Sequence, residues 1–184
     1  IDNADQIEVL AAAPWGEDVD LTDNLVEVQL SELTSGASRV GISTTGTVVS
    51  VREDSGIIKR CSECRRVLRD GECATHGAQD GVEDLRFRLV LDDGISTISL
   101  ILNKGSSESI GGLSMDKVKE HIDENGSMDY VQYLREKLLG REISASGRTI
   151  VDEQGAMLLS DSAEIIEVDS ALEATEIRAK WGFN

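Results

Sequence analysis

The segment Leu85–Leu102 reads LRFRLVLDDGISTISLIL. In its first half, large apolar residues alternate with arginine and valine, which is the period-two pattern of a strand that buries one face. Asp92-Asp93-Gly94 is a turn signal, and the β-branched residues after it predict a partner strand that ends at Leu102. We therefore expect a β-hairpin whose outer face carries Arg86 and Arg88. The residues expected on its inner face are Leu85, Phe87, Leu89 and Leu91.

Upstream of this hairpin, the segment Cys61–His76 reads CSECRRVLRDGECATH, with the spacing Cys-x2-Cys-x8-Cys-x2-His. Each half of this zinc motif is a pair of ligand residues, and two such turns supply the ligands of a closed tetrahedral zinc site. The predicted ligands are Cys61, Cys64, Cys73 and His76. A closed shell leaves no coordination position for a water or a substrate. We therefore expect one structural zinc rather than a catalytic one.

Other interpretations of the cysteines explain less of the pattern. The chain has three cysteines, so a disulfide framework would leave one of them unpaired. A redox Cys-x-x-Cys would leave Cys73 and His76 without a role. Reduced, metal-binding cysteines are typical of the cytoplasm. The sequence has neither an apolar run of membrane-spanning length nor a recognisable signal peptide, so we expect a cytoplasmic protein with no membrane contact.

The charge of the chain is unevenly distributed. There are 35 acidic and 18 basic side chains, a formal net charge of −17, yet the window Lys59–Arg69 has five positive residues and one negative. Some of these cations balance the thiolates, and the surplus predicts a surface that meets an anion. An acidic surface with few lysines and few aromatics resembles proteins of salt-accumulating organisms. In molar salt the Debye length is about 3 Å, so the overall acidity does not exclude an anionic ligand.

The remaining chain divides into one domain and two flanking segments. Residues 1–24 are acidic and broken by Pro14 and Gly16, which indicates a linker or the tail of a preceding domain. Because the sequence lacks an initiator methionine, we expect it to be a piece of a longer protein. Residues 170–184 are expected to form a closing amphipathic helix. Between them, Leu25–Leu33 is interpreted as a strand or a short segment leading into the domain. The other predicted elements are strands at Arg39–Val51, Arg141–Val151 and Ala156–Val168, and helices at Ser114–Asn125 and Met128–Leu139.

The order of these elements predicts the fold class. Three strands, one or two helices, two strands and a terminal helix is the arrangement of an OB fold, a small five-stranded barrel. We therefore expect a mainly β protein with the barrel in residues 25–169. The zinc motif would be an insertion between the first and second strands, a helix would lie between the third and fourth, and a C-terminal helix would follow.

Four segments together resemble the zinc-bearing OB-fold domain of archaeal replication protein A. They are GTVVSV (46–51), KRCSECRRVLRDGECATHG (59–77), LRFRLVLDDG (85–94) and GREISASGRTIVDEQG (140–155). The acidic composition points to the haloarchaeal branch. The resemblance implies a protein without enzymatic activity that coats single-stranded DNA in replication, repair and recombination, near the nucleoid. It also implies zinc ligation by the four motif residues and a C-terminal helix that serves subunit assembly.

Candidate DNA contacts follow from the exposed cations and the few aromatics. The residues predicted to meet phosphates are Arg60, Arg65, Arg66, Arg86 and Arg88, with Lys104 and Arg148 as further candidates. Tyr133 is the candidate for base stacking. Phe87 is interpreted as core because it shares a face with three leucines, with stacking as its alternative role. The residues predicted to bind a partner subunit are Ile177, Trp181 and Phe183.

Alternatives remain open at this stage. The barrel and terminal helix could be an assembly module whose DNA is held by other domains, or the barrel could bind RNA. An enzyme is the weakest interpretation, because the only histidine outside the zinc motif is His121 and no Walker-type glycine loop occurs.

Overall fold

The computed structural model describes residues 25–34, 36–152, 155–167 and 169–182. The predicted linker 1–24 and Phe183 lie outside these ranges. In chain order, the elements are β1 (Val26–Glu27), α1 (Leu30–Thr34), β2 (Ile42–Val51), β3 (Gly56–Arg60), β4 (Glu72–Cys73), β5 (Gly77–Ala78), β6 (Val82–Asp92), β7 (Thr97–Leu102), α2 (Lys104–Gly111), α3 (Met115–Asn125), α4 (Ser127–Leu138), β8 (Glu142–Asp152), β9 (Gly155–Ile166) and α5 (Ser170–Lys180).

Five long strands close into a barrel. Strand β2 pairs antiparallel with both β6 and β8, and β6 pairs antiparallel with β7. Strand β7 then pairs parallel with β9, which returns antiparallel to β8. A barrel in which the third and fifth strands are parallel neighbours has the connectivity of the OB fold. The predicted fold class is therefore confirmed, including the insertion between the first two barrel strands.

The barrel core follows the alternation predicted for the hairpin. On β6, Leu85, Phe87, Leu89 and Leu91 are fully buried. Helices α3 and α4 cover one end of the barrel and add Val118, Tyr130 and Leu134 to the same cluster. Phe87 is therefore a core residue, and its ring lies 6.2 Å from that of Tyr130, centroid to centroid.

Helix α2 is an element that the sequence pattern does not indicate. Its sequence, KGSSESIG, is rich in glycine and serine, which are poor helix formers. The helix forms because Asn103 caps its N-terminus, accepting a hydrogen bond from the Ser106 amide at 2.9 Å. It also packs on the barrel, where the Phe87 amide donates to Ser107 Oγ at 3.1 Å. Three helices, not one or two, therefore separate the third and fourth barrel strands.

The two ends of the described chain differ from their predicted structures. Within Leu25–Leu33, only Val26–Glu27 pairs with β2, and the chain then turns into the short helix α1. Leu30 and Leu33 are both buried, and their spacing places them on one side of a helical turn. Helix α5 forms where predicted but does not close the barrel, because every described side chain from Ala171 to Gly182 is exposed. No helix in the described ranges is both long and apolar enough to cross a membrane.

Candidate metal centre and nucleic-acid interface

The zinc motif folds as two tight turns within the insertion that joins β2 to β6. In the first turn, the Cys61 amide donates to the Arg66 carbonyl at 2.8 Å and the Arg65 amide donates to the Cys61 carbonyl at 3.0 Å. Arg65 adopts φ +62°, the left-handed conformation that lets the chain reverse directly after Cys64. The second turn joins β4 to β5, where Cys73 pairs with Gly77. Each pair of ligands therefore lies on its own rigid turn.

A hairpin connection brings the two turns together. Arg69 and Glu72 exchange backbone hydrogen bonds of 3.0 and 2.9 Å. The two residues between them, Asp70 and Gly71, have φ values of +51° and +80°. Positive φ at both positions is the mark of a type I′ turn, for which Asp-Gly is a favoured sequence. The Asp-Gly pair in the middle of the motif thus folds the second ligand pair back onto the first.

The four predicted ligands meet at one point. One ligand atom from each of Cys61, Cys64, Cys73 and His76 lies within 4.8 Å of the others. The sulfur atoms of Cys64 and Cys73 are 3.6 Å apart, and His76 Nδ1 lies 3.7 Å from the Cys73 sulfur. A tetrahedral zinc with Zn–S bonds of about 2.3 Å requires sulfur atoms roughly 3.7 Å apart. The donor set and its spacing therefore fit a metal ion.

The protonation of the thiols also favours a cation at this point. The Thr75 amide donates to the Cys73 sulfur at 3.5 Å and, with the His76 amide, lowers the pKa of Cys73 to about 6. Hydrogen bonding from the Cys64 amide lowers the pKa of Cys61. The Arg66 amide favours the thiolate of Cys64, but burial and the adjacent sulfur atoms raise its pKa overall. Three thiolates this close repel one another, and a divalent ion removes that repulsion.

Two further residues contact the cluster and were not singled out from the sequence. Gln79 Oε1 accepts a hydrogen bond from the Cys61 thiol at 3.1 Å, a bond that requires the thiol to be protonated, and Gln79 Nε2 donates to Glu63 Oε1 at 2.9 Å. Glu63 Oε2 in turn lies 3.8 Å from His76 Nε2, the ring nitrogen that points away from the cluster. Such contacts orient metal ligands and set the tautomer of a ligating histidine. Only the fold brings Gln79 back to the first turn.

A groove runs between the insertion and the barrel. It has a volume of about 470 Å³ and is walled by β3, β6 and the segment Val67–Gly71. Its charged lining residues are Lys59, Arg69, Arg86, Arg88 and Asp54. Four of the residues on its walls are thus cationic and one is a carboxylate, in a chain whose formal net charge is −17. Arg69 belongs to the same basic window as the predicted contacts, but only the folded insertion brings it to the groove beside Arg86 and Arg88. Lys59 is opposite Glu83 in the β3–β6 ladder and so points to the other face of the sheet from Arg86.

Arg86 and Arg88 are held side by side by Asp54, which lies in the turn between β2 and β3. Arg86 Nη2 and Arg88 Nη1 each lie 2.8 Å from the same oxygen, Asp54 Oδ2. Burial lowers the pKa of Arg86, and both Nε atoms are buried without a hydrogen-bond partner in the described part of the chain. Burial opposes ionisation of Asp54, but the Arg88 hydrogen bond lowers its pKa overall. One carboxylate therefore neutralises two guanidinium groups only in part. The pair keeps one net positive charge and unused N–H donors, with which it could bind a further anion.

Two of the other arginines predicted to contact phosphates already bind groups within the protein. Arg60 pairs through Nε with Asp84 and donates to the Arg65 carbonyl at 3.2 Å. Arg66 donates to Thr75 Oγ1 at 2.7 Å. Both arginines therefore brace the insertion, which makes them weaker candidates for phosphate contact than the sequence indicated. The side chains of Arg65, Lys104 and Arg148 are exposed.

Tyr133 does not join the arginines. Its ring stacks on that of Tyr130 with centroids 5.9 Å apart, and His121 lies 5.8 Å away on α3. Lys137 Nζ covers the ring at 6.0 Å. Tyr133 is therefore half-buried in the helical layer, and its stacking role stays a prediction. His121 contacts Asp129 Oδ2 at 2.9 Å and packs in the same aromatic cluster.

Comparison with known proteins identifies the fold but not the family. No protein-family model matches the chain, and no curated protein has a sufficiently similar sequence. A replication protein A heterotrimer bound to ssDNA superposes with a TM-score of 0.57 at 11% identity, over 86% of this chain and 40% of that chain. The protein thus spans less than half of the chain it resembles. At this identity, the likeness establishes a shared OB fold.

Two other OB-fold structures superpose less well. Yeast RPA bound to ssDNA has a TM-score of 0.45 at 12% identity, over 76% of this chain and 85% of that chain. The second OB-fold domain of replication protein A from Methanococcus maripaludis has a TM-score of 0.43 at 16% identity, over 78% and 98%.

Proposed function

We propose that this protein binds single-stranded DNA through its OB barrel, stiffened by one structural zinc, and that it acts by binding alone rather than as an enzyme. The observation that carries the proposal is the groove between the insertion and the barrel. Its four cations and one carboxylate contrast with the acidic remainder of the chain. The face of an OB barrel beside its first long loop is where this fold holds oligonucleotides, so the cations lie in the expected place for phosphates.

Zinc would act on DNA binding indirectly in this proposal. Residues Val67–Gly71 form one wall of the groove and lie between the two pairs of ligands. Closing the metal site would therefore hold Arg69 opposite Arg86 and Arg88. A preformed wall spares the protein the entropy of ordering a long loop when DNA binds.

The acidic composition of the chain supports a proposal about the salt concentration at which binding takes place. At low ionic strength, the net charge of −17 would repel a polyanion, whereas in molar salt that repulsion is screened over about 3 Å. We propose that the protein works at high salt, as in haloarchaea, and serves replication, repair and recombination as a replication protein A component. Short-range contacts within the groove would then matter more than long-range steering.

The direct test is fluorescence anisotropy with labelled oligothymidine, competed by duplex DNA and by RNA, in about molar and in lower potassium chloride, with zinc content measured on the same sample. We expect binding that prefers single-stranded DNA and persists at high salt. Zinc-loaded, folded protein that shows no binding at either salt concentration would contradict the proposal. Equal or stronger competition by RNA would instead assign the groove to RNA.

A second function, subunit assembly through α5, is favoured by a separate observation. Leu172, Ile177 and Trp181 are 58%, 50% and 72% exposed on a helix whose described side chains are all exposed. We propose that this helix docks on another replication protein A subunit. Replacing Ile177 and Trp181 by Asp should abolish assembly in multi-angle light scattering and leave the binding of oligothymidine to the monomer intact. Loss of DNA binding together with assembly would favour the interpretation that the barrel is only an assembly module.

A further inference from the structure

A second cavity lies between the segment that leads into α1, the first half of β2 and the turn of the β6–β7 hairpin. Its volume is about 460 Å³, which is within the range of ligand-binding pockets. It shares no lining residue with the groove described above. Its charged lining residues are Glu27, Glu32 and Asp93, and no described lysine or arginine lines it. We therefore call it the acidic pocket.

The wall of the acidic pocket includes a buried hydroxyl group that lacks a hydrogen-bond partner. Thr44 on β2 lines the pocket and is only 2% exposed. Its Oγ1 forms no hydrogen bond with any residue that the structure describes. Burying a hydroxyl without a partner destabilises a folded protein, so each such group needs an explanation. A ligand that donates a hydrogen bond within the pocket would supply the missing partner.

Asp93 also keeps an acceptor position free, although it already stabilises the fold. Its Oδ1 accepts hydrogen bonds from the amides of Ile95 and Ser96 at 2.9 and 2.8 Å. Within the described ranges, its Oδ2 accepts one hydrogen bond, from the Leu30 amide at 3.1 Å. A carboxylate oxygen can accept two hydrogen bonds, so Oδ2 can accept a second one. The carboxylate is thus held in place before any ligand binds.

The two glutamates of the acidic pocket are weakly paired. Glu32 lies 3.7 Å from Arg39 in an exposed ion pair, and pairs of this kind contribute little. Glu27 is exposed and forms no ion pair with any other described residue. Residues 1–24, which precede the pocket along the chain, contain no lysine or arginine. Neither the lining nor this preceding segment therefore supplies a cation that would neutralise the pocket.

The spacing of the acids favours a large organic cation over a bare metal ion. Oxygen ligands of a calcium ion lie about 2.3–2.6 Å from it and must therefore converge. Among the described residues, the zinc motif forms such a convergent cluster and the three acids of the pocket do not. A guanidinium group has five N–H donors in a planar fork and can reach acceptors that lie apart. Its alkyl stem would find an apolar contact in Ile95, which lines the pocket and is 74% exposed.

We propose that the acidic pocket binds an arginine side chain presented by a basic segment of a partner protein. The guanidinium group donates to Asp93 Oδ2 and to Thr44 Oγ1. Glu27 and Glu32 balance its charge, and Ile95 contacts its stem. Three carboxylates without a cation in the lining repel phosphates, so the partner is a basic polypeptide rather than a nucleic acid. This interface is separate from the groove, so the two sites can be occupied together.

NMR titration of the full zinc-loaded chain with short peptides tests the ligand. The probe is an acetylated and amidated five-residue peptide with a central arginine between glycine and serine residues. We expect the amide signals of Leu30 and Ile95 to shift saturably, whereas those of Glu120 and Glu124, exposed acids on α3, should not. The same peptide with citrulline, a neutral isostere of arginine, should bind at least about tenfold more weakly, because its hydrogen bonds are no longer charge-assisted.

Substitutions in the pocket give a second readout. Glu27→Gln with Glu32→Gln should weaken binding of the arginine peptide, and Glu120→Gln with Glu124→Gln, which removes the same charge from α3, should not. Thr44→Val should act in opposite directions on stability and binding. It removes a buried hydroxyl without a partner, so the melting temperature of the free protein should rise by about 2–4 °C. Affinity for the peptide should fall, because an acceptor is lost.

The outcomes separate this inference from the proposed function. Equal affinity for the citrulline peptide, or equal shifts on α3, would overturn it by showing unspecific attraction to an acidic surface. Tighter binding of spermidine than of the arginine peptide would overturn it by assigning the pocket to a polyamine. Oligothymidine binding should be unchanged in the glutamine and valine variants. Absence of DNA binding by the wild type would overturn the proposed function and leave this inference standing.

Discussion

The sulfur atoms of Cys64 and Cys73 lie 3.6 Å apart, although nine positions separate the two residues in the chain. The approach depends on the Asp70-Gly71 turn, which reverses the chain between the two ligand pairs. The cluster formed by Cys61, Leu68 and Cys73 is separate from the main core of the barrel. The insertion with the cysteine cluster and the barrel therefore have separate hydrophobic cores, and the groove lies between them.

Loss of one ligand should consequently unfold the insertion and spare the barrel. For Cys64→Ser we expect bound zinc to fall from one equivalent to none and the overall stability to decrease. Trypsin should then cut at Arg65, Arg66 or Arg69, which the closed metal site protects in the wild type. Affinity for oligothymidine should fall at the same time. Elemental analysis, proteolysis and anisotropy check the three outcomes.

Ala74→Ser is a matched control, because Ala74 is an exposed residue between two ligands of the same turn and its replacement removes no metal donor. A chelated protein or Cys64→Ser variant that binds DNA normally would show that the zinc turns serve another purpose.

Gln79 should contribute to zinc affinity although it is not a ligand. Its Nε2 donates a hydrogen bond to Glu63 Oε1, and the other carboxylate oxygen of Glu63 faces His76 Nε2. Removing contacts of this kind commonly costs about 10- to 100-fold in metal affinity. We expect Gln79→Ala to lower zinc affinity by about tenfold in competition with a chromogenic chelator. Gln132→Ala, which removes an exposed glutamine on α4, should have no effect.

Replacing Arg86 and Arg88 together by Ala should weaken DNA binding for all sequences. Each phosphate contact to a single strand contributes about 0.7 to the slope of log affinity against log salt, so the slope should decrease by about 1.4. Arg39→Ala with Arg135→Ala removes the same charge from exposed ion pairs outside the groove. Affinity and slope equal to those of this control would exclude the two β6 arginines from the binding site.

Asp54→Asn should strengthen binding. The carboxylate occupies both guanidinium groups, and its neutralisation adds one positive charge to the groove. Exposed charge pairs contribute up to about 1 kcal/mol, so we expect affinity to rise two- to fivefold. Glu53→Gln changes the neighbouring acid, which pairs with Arg135 instead, and should have little effect. Weaker binding by Asp54→Asn would mean that the carboxylate positions the arginines rather than competes with DNA.

Asp93 should make stability depend on pH in a defined direction. Its carboxylate accepts hydrogen bonds from the amides of Ser96 and Ile95 in the hairpin and of Leu30 in α1, at 2.8, 2.9 and 3.1 Å. The Ser96 and Ile95 amides lower the pKa of Asp93 below its usual 3.8. A depressed pKa means that the stabilisation is complete above about pH 4 and is lost as the pH falls through the lowered value.

Asp93→Ala should therefore destabilise the protein by about 1–2 kcal/mol at neutral pH, the cost of removing a capping side chain. The difference from the wild type in urea unfolding should shrink below pH 4. Glu124→Gln, at an exposed position on α3, is the control. A difference that stays constant from pH 7 to pH 3 would contradict the assignment.

Several features were predictable because they depend on neighbours in sequence. The alternation from Leu85 to Leu91 identified the buried face of β6, and the spacing of the cysteines identified the metal cluster. Helix α2 could not be predicted, because its glycines and serines form a helix only with Asn103 as cap and the barrel as support. The packing of Tyr133 against Tyr130 could not be predicted for a related reason: an aromatic residue on a helix has the same sequence pattern whether it faces solvent or a neighbouring ring.

The sequence by itself determined the barrel class, the four residues of the candidate metal cluster and the concentration of positive charge beside them, since these depend on local periodicity and composition. Only the tertiary structure decided which cations act together. It brought Arg69 to the groove beside Arg86 and Arg88 and paired Asp54 with both of these β6 arginines. It also engaged Arg60 and Arg66 in contacts that brace the insertion. The physical reason is that a charge acts over a few ångströms in space, and residues separated by long stretches of chain become neighbours only when the barrel closes.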